Sequence, residues 1–336
     1  MDGRIGLAAG ARRVVVLLGG DSAEREISLS SGRAVIAALT ERGRLVVSLD
    51  PAETPVTQFA WEPGDIALLA LHGRYGEDGH VQTELEDLGI PYTGAGPEAS
   101  RVAFSKSSAK LELLRHEVPT PAHVTIHQSN SIGRLRRLAE AVGYPLVVKP
   151  DQQGSSIGVS LVERPDQLAA AVEKALSFGS LGLIEKAIRG TEWTVGFLDS
   201  LPLPPICITT RHPFFDFEAK YTDDETRYDF DGTLPAAGRD RVVRAALAAC
   251  RSLGVVGLSR VDIRVDESGD PWVLEINTIP GLTDHSLVPK AAARLGWTFG
   301  ELCERMILSG LNHFATRQSR SGLHNRTTAN PLLRAG

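Results

Sequence analysis

The sequence contains few cysteines, no long apolar run and no surplus of basic residues. Its three cysteines are far apart and odd in number, so they indicate neither a disulfide framework nor a zinc site. No apolar stretch reaches the roughly 20 residues of a membrane-spanning helix, and no signal-peptide pattern precedes the first apolar run. With 36 Lys and Arg against 41 Asp and Glu, the formal net charge is −5, which argues against nucleic-acid binding. These absences predict a cytoplasmic protein without a nucleic-acid or membrane partner.

The first hundred or so residues alternate between apolar strands and helical segments. Residues 13–18 predict a buried strand that ends in Gly-Gly, residues 29–40 predict a helix, and residues 45–49 and 66–71 predict further strands. Strands that alternate with helices form parallel sheets, whose ligands bind at the carboxyl ends of the strands. We therefore predict a parallel α/β domain over residues 1–103.

The remainder of the chain mixes strands and helices without a regular order. Residues 192–280 contain several predicted strands and one helix at 239–253, which is typical of an α+β fold. We divide this part into a small central unit, 104–184, and a C-terminal unit, 185–316. Residues 317–336 are polar, rich in arginine and without periodicity, and they predict a disordered tail.

Two short motifs allow more than one interpretation. Residues 154–158 read G-x-S-x-G, as in serine hydrolases, but that motif needs a helix after the turn and a strand is predicted at 159–162. Residues 94–99 read G-x-G-x-x-A, as in dinucleotide-binding proteins, but no long apolar strand precedes them. A hairpin loop of small residues can instead fold over a triphosphate, with Lys149 as a point charge. A plain surface hairpin is the alternative.

A hairpin with its turn at residues 267–270 aligns four polar side chains. If the residues flanking this turn pair with one another, Asp262 lies opposite Glu275 and Arg260 lies opposite Asn277. The opposite face of the hairpin is then apolar throughout: Val261, Ile263, Val265, Trp272, Leu274 and Ile276.

The polar face of this hairpin predicts a metal site. Side chains that oppose each other across two strands are roughly 5 Å apart. Two carboxylates and an amide oxygen at that spacing are hard ligands that suit Mg²⁺ better than zinc. Because Mg²⁺ sites commonly combine one or two carboxylates with substrate phosphates, the pattern points to a nucleotide. A solvated charged surface is the alternative.

The order of several motifs resembles the D-alanine–D-alanine ligase family of the ATP-grasp superfamily. The resemblance covers about residues 14 to 310. Its motifs lie at the following positions: 19–28, 72–79, 91–94, 106, 149–156, 185–186, 192, 218–221, 260–262, 275–277 and 280–289.

The resemblance implies a parallel α/β domain followed by a two-subdomain ATP-grasp fold. It also implies ATP-dependent ligation of two D-alanine molecules through an acyl phosphate, with release of ADP and phosphate, for peptidoglycan synthesis. A related ATP-grasp ligase of a specialised pathway is the alternative. Members of the family suggest a homodimer.

The same resemblance implies which residues bind ATP and its metal. The implied ATP contacts are Lys106, Lys149, Ser155, Glu185, Lys186, Ile188, Glu192 and Lys220. Two Mg²⁺ ions, replaceable by Mn²⁺, are implied at Asp262, Glu275 and Asn277.

Substrate and catalytic roles also follow from the resemblance. The implied contacts of the two D-alanines are Glu24, His72, Arg260, Gly281, Ser286 and Leu287. Arg260 and the backbone of Gly281 are implied to stabilise the tetrahedral intermediate. Ser156 and Tyr221 are implied to link to Glu24 and to close a lid, for which the irregular segment 214–237 is the candidate.

Three positions depart from the usual family pattern. Ala187 stands where an aromatic residue is common, Phe stands for Tyr within residues 214–217, and the stretch after Thr226 differs. Tyr221 is retained, which favours peptide over depsipeptide formation. A non-catalytic nucleotide sensor and a hydrolase that uses Ser156 are the alternatives from other functional classes.

Overall fold

A parallel three-stranded sheet forms from the apolar runs near the start of the chain. The computed structural model describes the following ranges: 13–211, 225–283 and 286–327. Strand β1 (Arg13–Leu17) lies between β2 (Val46–Leu49) and β3 (Asp65–Leu69), and both pairings are parallel. Alternate side chains of β1 and β3 point to opposite faces and both sets are buried, because each face is covered by other elements. The first four helices are α1 (Arg25–Glu41), α2 (His80–Asp87), α3 (Pro97–Phe104) and α4 (Lys106–Arg115).

A four-stranded antiparallel sheet follows. Its strand order is β4-β7-β5-β6, and two helices cover its apolar face. The elements are β4 (His123–His127), α5 (Ile132–Val142), β5 (Leu146–Pro150), β6 (Ser160–Val162), α6 (Leu168–Leu176) and β7 (Leu181–Lys186). The loop between β5 and β6 therefore joins two antiparallel strands, which is not the strand-to-helix turn that a serine hydrolase requires.

A larger antiparallel sheet is built from the next part of the chain. Its order is β11-β10-β8-β12-β13, with β9 paired to β8. Helix α7 (Ala236–Ser252) packs against its apolar face. The strands are β8 (Thr191–Leu198), β9 (Leu201–Pro202), β10 (Ile206–Thr209), β11 (Arg227–Asp229), β12 (Leu258–Val265) and β13 (Pro271–Asn277).

The predicted irregular segment 214–237 is only partly described. Residues 212–224 lie outside the described ranges, and with them Lys220 and Tyr221. The later part of the segment is more regular than predicted, because residues 227–229 form β11 against β10 and α7 begins at Ala236. The mixed α/β and α+β fold class predicted from the sequence is confirmed.

The chain returns to the first sheet at its C-terminal end. Helix α8 (Leu287–Arg294) is followed by α9 (Phe299–Thr327), which packs against α1 and shares a core with β1 and β3. Arg44 forms a two-point ion pair with Glu304 of α9, at 2.8 and 2.6 Å. Among the described residues, no helix is long and apolar enough to cross a membrane.

The prediction of a disordered tail from residue 317 is wrong as far as Thr327. Helix α9 continues to that residue, and residues 328–336 lie outside the described ranges. The Arg317 guanidinium lies 4.7 Å above the ring of Tyr92 and 3.6 Å from Glu86. A helix that is already nucleated extends at little cost through polar residues, so the absence of an apolar stripe does not end it.

The hairpin of β12 and β13 has the predicted register at its functional end. Arg260 pairs with Asn277, and Asp262 pairs with Glu275. The register then shifts by one residue directly after Asp262, through a β-bulge.

Because of the bulge, the apolar face predicted for the part of the hairpin nearer the turn is wrong. Val265 pairs with Pro271, one residue earlier than the sequence pattern indicated. Val273 therefore points into the core and is 0% exposed, whereas Leu274 and Trp272 are only half-buried. Leu274 instead lines a cavity on the opposite side of the sheet.

Two neighbouring substitutions distinguish this register from the uninterrupted one. Val273→Ala is expected to lower the free energy of unfolding by about 2 kcal/mol, because it leaves a core cavity. Leu274→Ala is expected to cost less than about 1 kcal/mol, because its side chain borders a cleft. Urea unfolding of both variants measures the difference. A larger loss for Leu274→Ala would contradict the bulge.

Candidate active site

Two adjoining cavities lie in the cleft between the sheets. Their empty space, counted out to open solvent, is about 1020 Å³ in one and about 890 Å³ in the other, and both are lined by Lys106, Gln153 and Glu275. A ligand in one cavity would therefore meet a ligand in the other beside Lys106 and Glu275.

The first cavity, called here the polar chamber, is lined by all six predicted substrate residues. Its lining includes Glu24, His72, Glu77, Tyr228, Arg260, Asn277, Gly281, Ser286 and Leu287. Glu24 directly precedes α1, and Ser286 directly precedes α8, so helix starts present both side chains to the chamber. Sequence reasoning missed Tyr228 and Glu77, although Glu77 lies within the quoted motif 72–79.

Ser155, rather than Ser156, contacts Glu24. The Ser155 hydroxyl donates to Glu24 Oε1 at 2.5 Å, whereas Ser156 lines the second cavity. Both serines have left-handed backbone angles, with φ of 49° and 58°, and this turn orients them differently. The structure therefore places the hydrogen bond to Glu24 on Ser155, where the sequence implied Ser156, and the implied contact of Ser155 with ATP stays a prediction. A Cβ atom on Gly154 would lie 2.7 Å from Glu24 Oε2, so the loop passes close to this carboxylate.

His72 and Glu77 form the inner wall of the polar chamber. His72 Nε2 lies 3.2 Å from Ser31 Oγ, and His72 Nδ1 lies 3.8 Å from Glu77 Oε1. Ser31 Oγ also accepts the backbone N–H of Leu282, which ties α1 to the loop before α8. Burial raises the pKa of Glu77, and its hydrogen bond with His72 opposes that rise.

The loop before α8 fits closely around Ser286. Ser286 Oγ accepts the backbone N–H of Thr283 at 3.1 Å. A Cβ atom on Gly281 would lie 2.8 Å from Ser286 Oγ, so the chain needs glycine there. Gly281 lines the polar chamber, and its contact with substrate stays a prediction.

The second cavity, called here the apolar chamber, is a slot between apolar side chains with polar groups at its rim. The apolar residues are Val147, Val159, Leu161, Ala187, Ile188 and Leu274. The polar ones are Lys106, Lys149, Gln153, Ser156, Glu185, Lys186, Glu192, Asp262, Arg264 and Glu275. All the predicted ATP residues except Ser155 and the undescribed Lys220 line this chamber.

Several of these polar groups are held in place by the protein. The Lys186 ammonium donates to the carbonyl oxygens of Gly143 and Tyr144, at 2.9 and 2.8 Å. Glu192 lies 3.2 Å from Arg264. Such contacts fix the rim of a slot whose apolar walls can hold a flat ring.

A buried ion cluster supports one end of the apolar chamber. Lys149 Nζ lies 3.1 Å from both carboxylate oxygens of Glu185, and Lys110 Nζ lies 2.8 Å from Glu185 Oε2. Burial raises the pKa of Glu185, but the two lysines more than offset this and hold it below its usual value. Sequence reasoning missed Lys110, which shares the buried face of α4 with Ala109 and Leu113.

The predicted metal ligands face one another where the chambers meet. Arg260 forms two hydrogen bonds with Asp262, at 2.8 and 2.7 Å, and Thr194 donates a third at 2.7 Å. Lys106 lies 3.2 Å from Glu275. Carboxylate oxygens are the ligands that Mg²⁺ prefers, and a metal ion bound here would compete with Arg260 for Asp262 and with Lys106 for Glu275.

The predicted amide ligand is also engaged within the protein. Asn277 Oδ1 accepts the backbone N–H of Ile279 at 3.0 Å. In the described part of the chain, no cluster of three or more His, Cys, Asp or Glu side chains is arranged to hold a metal by itself. The two carboxylates therefore fit a Mg²⁺ that also needs oxygens from a bound substrate.

Lys106 reaches the junction because α4 begins there. The Asp151 carboxylate, which follows β5, accepts the Ser107 N–H and the Ser105 hydroxyl, at 2.8 and 2.9 Å, and so caps the start of the helix. Lys106 Nζ donates to the carbonyl of Gln153 at 2.7 Å. The central sheet and α4 thus place one ammonium group beside both chambers.

Two antiparallel sheets that enclose a cleft lined by lysines, arginines and carboxylates, preceded by a parallel sheet, define this chain as an ATP-grasp protein. Residues 113–308 match the family model described as "D-ala D-ala ligase C-terminus". The D-alanine–D-alanine ligase of Alkalilimnicola ehrlichii is 44% identical over 310 residues, which are 92% of this chain and 98% of that protein. The chain belongs to the D-alanine–D-alanine ligase family.

Solved structures agree with this assignment. The D-alanine–D-alanine ligase of Bacillus anthracis in complex with ATP has a TM-score of 0.79 at 33% identity, covering 91% of this chain and all of that one. The VanG D-Ala:D-Ser ligase of Enterococcus faecalis has a TM-score of 0.78 at 25% identity, covering 89% and 99%. The family and enzyme class predicted from the sequence are confirmed.

Proposed function

We propose that this chain uses ATP to join two D-alanine molecules into D-alanyl-D-alanine, with release of ADP and phosphate. The observation that carries the proposal is the meeting of the two chambers at Lys106 and Glu275. A nucleotide in the apolar chamber would direct its terminal phosphate to this junction. An amino acid held at Glu24 would direct its carboxylate to the same place.

The apolar chamber suits ATP in both shape and charge. Its apolar walls fit the adenine ring, Glu192 lies where it can accept ribose hydroxyls, and Lys149 and Lys106 are placed for the phosphates. Bound Mg²⁺ would be held by Asp262 and Glu275, and it would neutralise charge on the phosphate oxygens. The relative from B. anthracis, solved with ATP, supports the nucleotide assignment.

The first chemical step brings a carboxylate to a polyanion. Two unit charges 4 Å apart repel by about 4 kcal/mol at an effective dielectric of 20, so cationic groups must dominate the junction. Lys106, Lys149 and Arg260 supply that charge from three different elements. Their placement lowers the barrier by electrostatic positioning, as is general for phosphoryl transfer.

The polar chamber provides two amino-acid positions. Glu24, held by Ser155, is placed for the ammonium group of the first D-alanine, and Ser286 and Leu287 border the position of the second. The carboxylate of the first D-alanine attacks the γ-phosphorus of ATP and ADP leaves, which gives an acyl phosphate. The amine of the second D-alanine attacks the carbonyl carbon of that acyl phosphate, and the carbonyl oxygen gains negative charge next to Arg260 and the Gly281 backbone. The bond to phosphate then breaks, phosphate leaves, and the nitrogen gives up a proton as the amide forms. Buried His72 and partly buried Glu77 line the same space. We expect the segment 214–237 to shield this intermediate from water.

A ligase with another second amino acid is the competing proposal. The D-Ala:D-Ser ligase of E. faecalis is similar in fold, but the relative with 44% identity is a D-alanine–D-alanine ligase. The assignment to two D-alanines and to peptidoglycan synthesis is therefore preferred. A homodimer and a cytoplasmic location stay predictions.

One assay tests the proposed reaction. The protein is incubated with ATP, Mg²⁺ and either D-alanine, L-alanine, D-serine or D-lactate, and phosphate release and product mass are followed. We expect D-alanine to give stoichiometric ADP, phosphate and dipeptide, and L-alanine to give none. Phosphate release that does not depend on D-alanine would refute the proposal.

The two neighbouring serines are expected to affect different substrates. Ser155→Ala removes the hydrogen bond to Glu24 and should raise the KM of the first D-alanine about tenfold. Ser156→Ala should act mainly on the KM of ATP, because Ser156 lines the apolar chamber. Steady-state kinetics with each substrate varied in turn measures both constants. Equal effects of the two variants on D-alanine would contradict the observed loop geometry.

A further inference from the structure

Lys110 is fully buried, yet it contacts a residue that lines the apolar chamber. Its side chain is 0% exposed, whereas Glu185 and Lys149 border the cavity. Burial of an ammonium group is costly unless it is paired and hydrogen-bonded. A lysine retained at such a position therefore calls for an explanation.

The contacts of Lys110 connect the two sheets that enclose the cleft. Its ammonium lies 2.8 Å from Glu185 Oε2 on β7 and donates to the Thr120 hydroxyl at 2.6 Å. Thr120 in turn donates to the carbonyl of Val273 on β13, at 2.8 Å. Lys110 thereby holds the Glu185 carboxylate from the side away from the chamber.

The charges of this cluster do not cancel. Two ammonium groups face one carboxylate, so the cluster carries a net positive charge next to the proposed phosphate position. Without Lys110, the cluster would be a neutral pair of Glu185 and Lys149, and the carboxylate would hold the only remaining ammonium group. Lys149, which already contacts both Glu185 oxygens, would then be the only cation of the cluster that neutralises this buried carboxylate, and less of its charge would act on a phosphate.

We propose that Lys110 is a positioning residue for nucleotide binding: it is the buried counter-ion of Glu185, and so it leaves the charge of Lys149 for the phosphates. This inference rests on the proposed use of ATP. Lys110 acts through Glu185 and Lys149, and it touches no substrate itself.

The surroundings of Lys110 make its charge dependent on pH. Burial lowers its pKa to about 8, against the attraction of Glu185, while Lys149 adds repulsion and Glu275 adds attraction. His123 faces it from β4, with a pKa lowered by burial and by Lys110. Below pH 8 Lys110 is charged. As the pH rises above 8 it loses its proton, and nucleotide affinity should fall.

Direct binding tests the proposal with a matched control. Lys110→Met is compared with Arg115→Met, which removes an exposed cation from the same helix. At pH 7 with Mg²⁺, titration calorimetry measures the affinity for ADP and for inorganic tripolyphosphate. One unit charge about 8 Å from a phosphate, at an effective dielectric of 20, corresponds to about thirtyfold in affinity, which is the loss expected for Lys110→Met. Arg115→Met should match the wild type.

A second substitution distinguishes positioning from a merely structural role. Adding Glu185→Gln to Lys110→Met removes the carboxylate that holds Lys149, so tripolyphosphate affinity should recover most of the loss. It also removes an unpaired buried charge, which favours folding. A double variant that binds no tighter than Lys110→Met would overturn the proposal, as would Lys110→Met binding like the wild type.

The wild-type protein offers a test that needs no variant. Its ADP affinity should be constant from pH 7 to 7.5 and should fall above pH 8, and an unchanged affinity up to pH 9.5 would also overturn the proposal. Failure of the ATP assignment would look different, since the wild type itself would then bind neither ADP nor tripolyphosphate.

Discussion

Glu275→Gln is expected to lower the rate of ADP formation about 1000-fold, while the protein stays folded. Glu275 borders both chambers, lies opposite Asp262 and is 3.2 Å from Lys106. Glutamine keeps the size of the side chain but removes the negative charge that a Mg²⁺ ligand supplies. The substitution therefore separates charge from packing.

The same hairpin provides the control for this variant. Glu267→Gln removes an exposed carboxylate in the turn between β12 and β13 and should retain wild-type activity. Phosphate release at saturating ATP and D-alanine is measured over a range of Mg²⁺ concentrations. Activity of Glu275→Gln within tenfold of the wild type would mean that its carboxylate is not a metal ligand.

The hairpin of β12 and β13 shows which strand pairings the sequence predicts and which it does not. Alternation of polar and apolar residues was sufficient to pair Arg260 with Asn277 and Asp262 with Glu275. It failed beyond Asp262, because a bulge inserts one extra residue into β13 and no glycine or proline next to Leu274 announces it. A period-two pattern contains no information about where the period is interrupted.

The small residues of the loop between β5 and β6 predict a hairpin loop, but they do not predict where each of its two serine side chains points. The structure has this loop between two antiparallel strands beside the cavities. Which of Ser155 and Ser156 contacts Glu24 depends on two left-handed backbone angles that neither serine requires. The resemblance to the family assigned this contact to Ser156, and the structure assigns it to Ser155.

The burial of Lys110 could not be predicted from the sequence, for a different reason. A lysine in a helix is normally solvated, and only long-range packing shows that this one is enclosed with Glu185 and Thr120. Its partners are far away in sequence, so no local spacing signals the cluster. The contacts of Arg317 in α9 with Tyr92 and Glu86 are likewise distant in sequence.

Arg260→Met is expected to lower kcat by a factor of about 100 to 1000 and to leave the KM of ATP nearly unchanged. Arg260 borders the polar chamber, where negative charge develops when the second amine attacks. Its guanidinium is oriented by two hydrogen bonds to Asp262, so it needs no rearrangement as that charge forms. Arg260→Lys should restore little activity, because an ammonium group cannot reproduce the planar two-point contact.

Arg264, two residues further along the same face of β12 as Asp262, is the matched comparison. It borders the apolar chamber and contacts Glu192 at 3.2 Å. Arg264→Met should therefore raise the KM of ATP and change kcat little, the opposite of Arg260→Met. Steady-state kinetics gives both constants, and thermal unfolding confirms that each variant is folded. If Arg260→Met changed the KM of ATP and spared kcat, Arg260 would serve the nucleotide, and stabilisation of the intermediate would have to come from the backbone near Gly281.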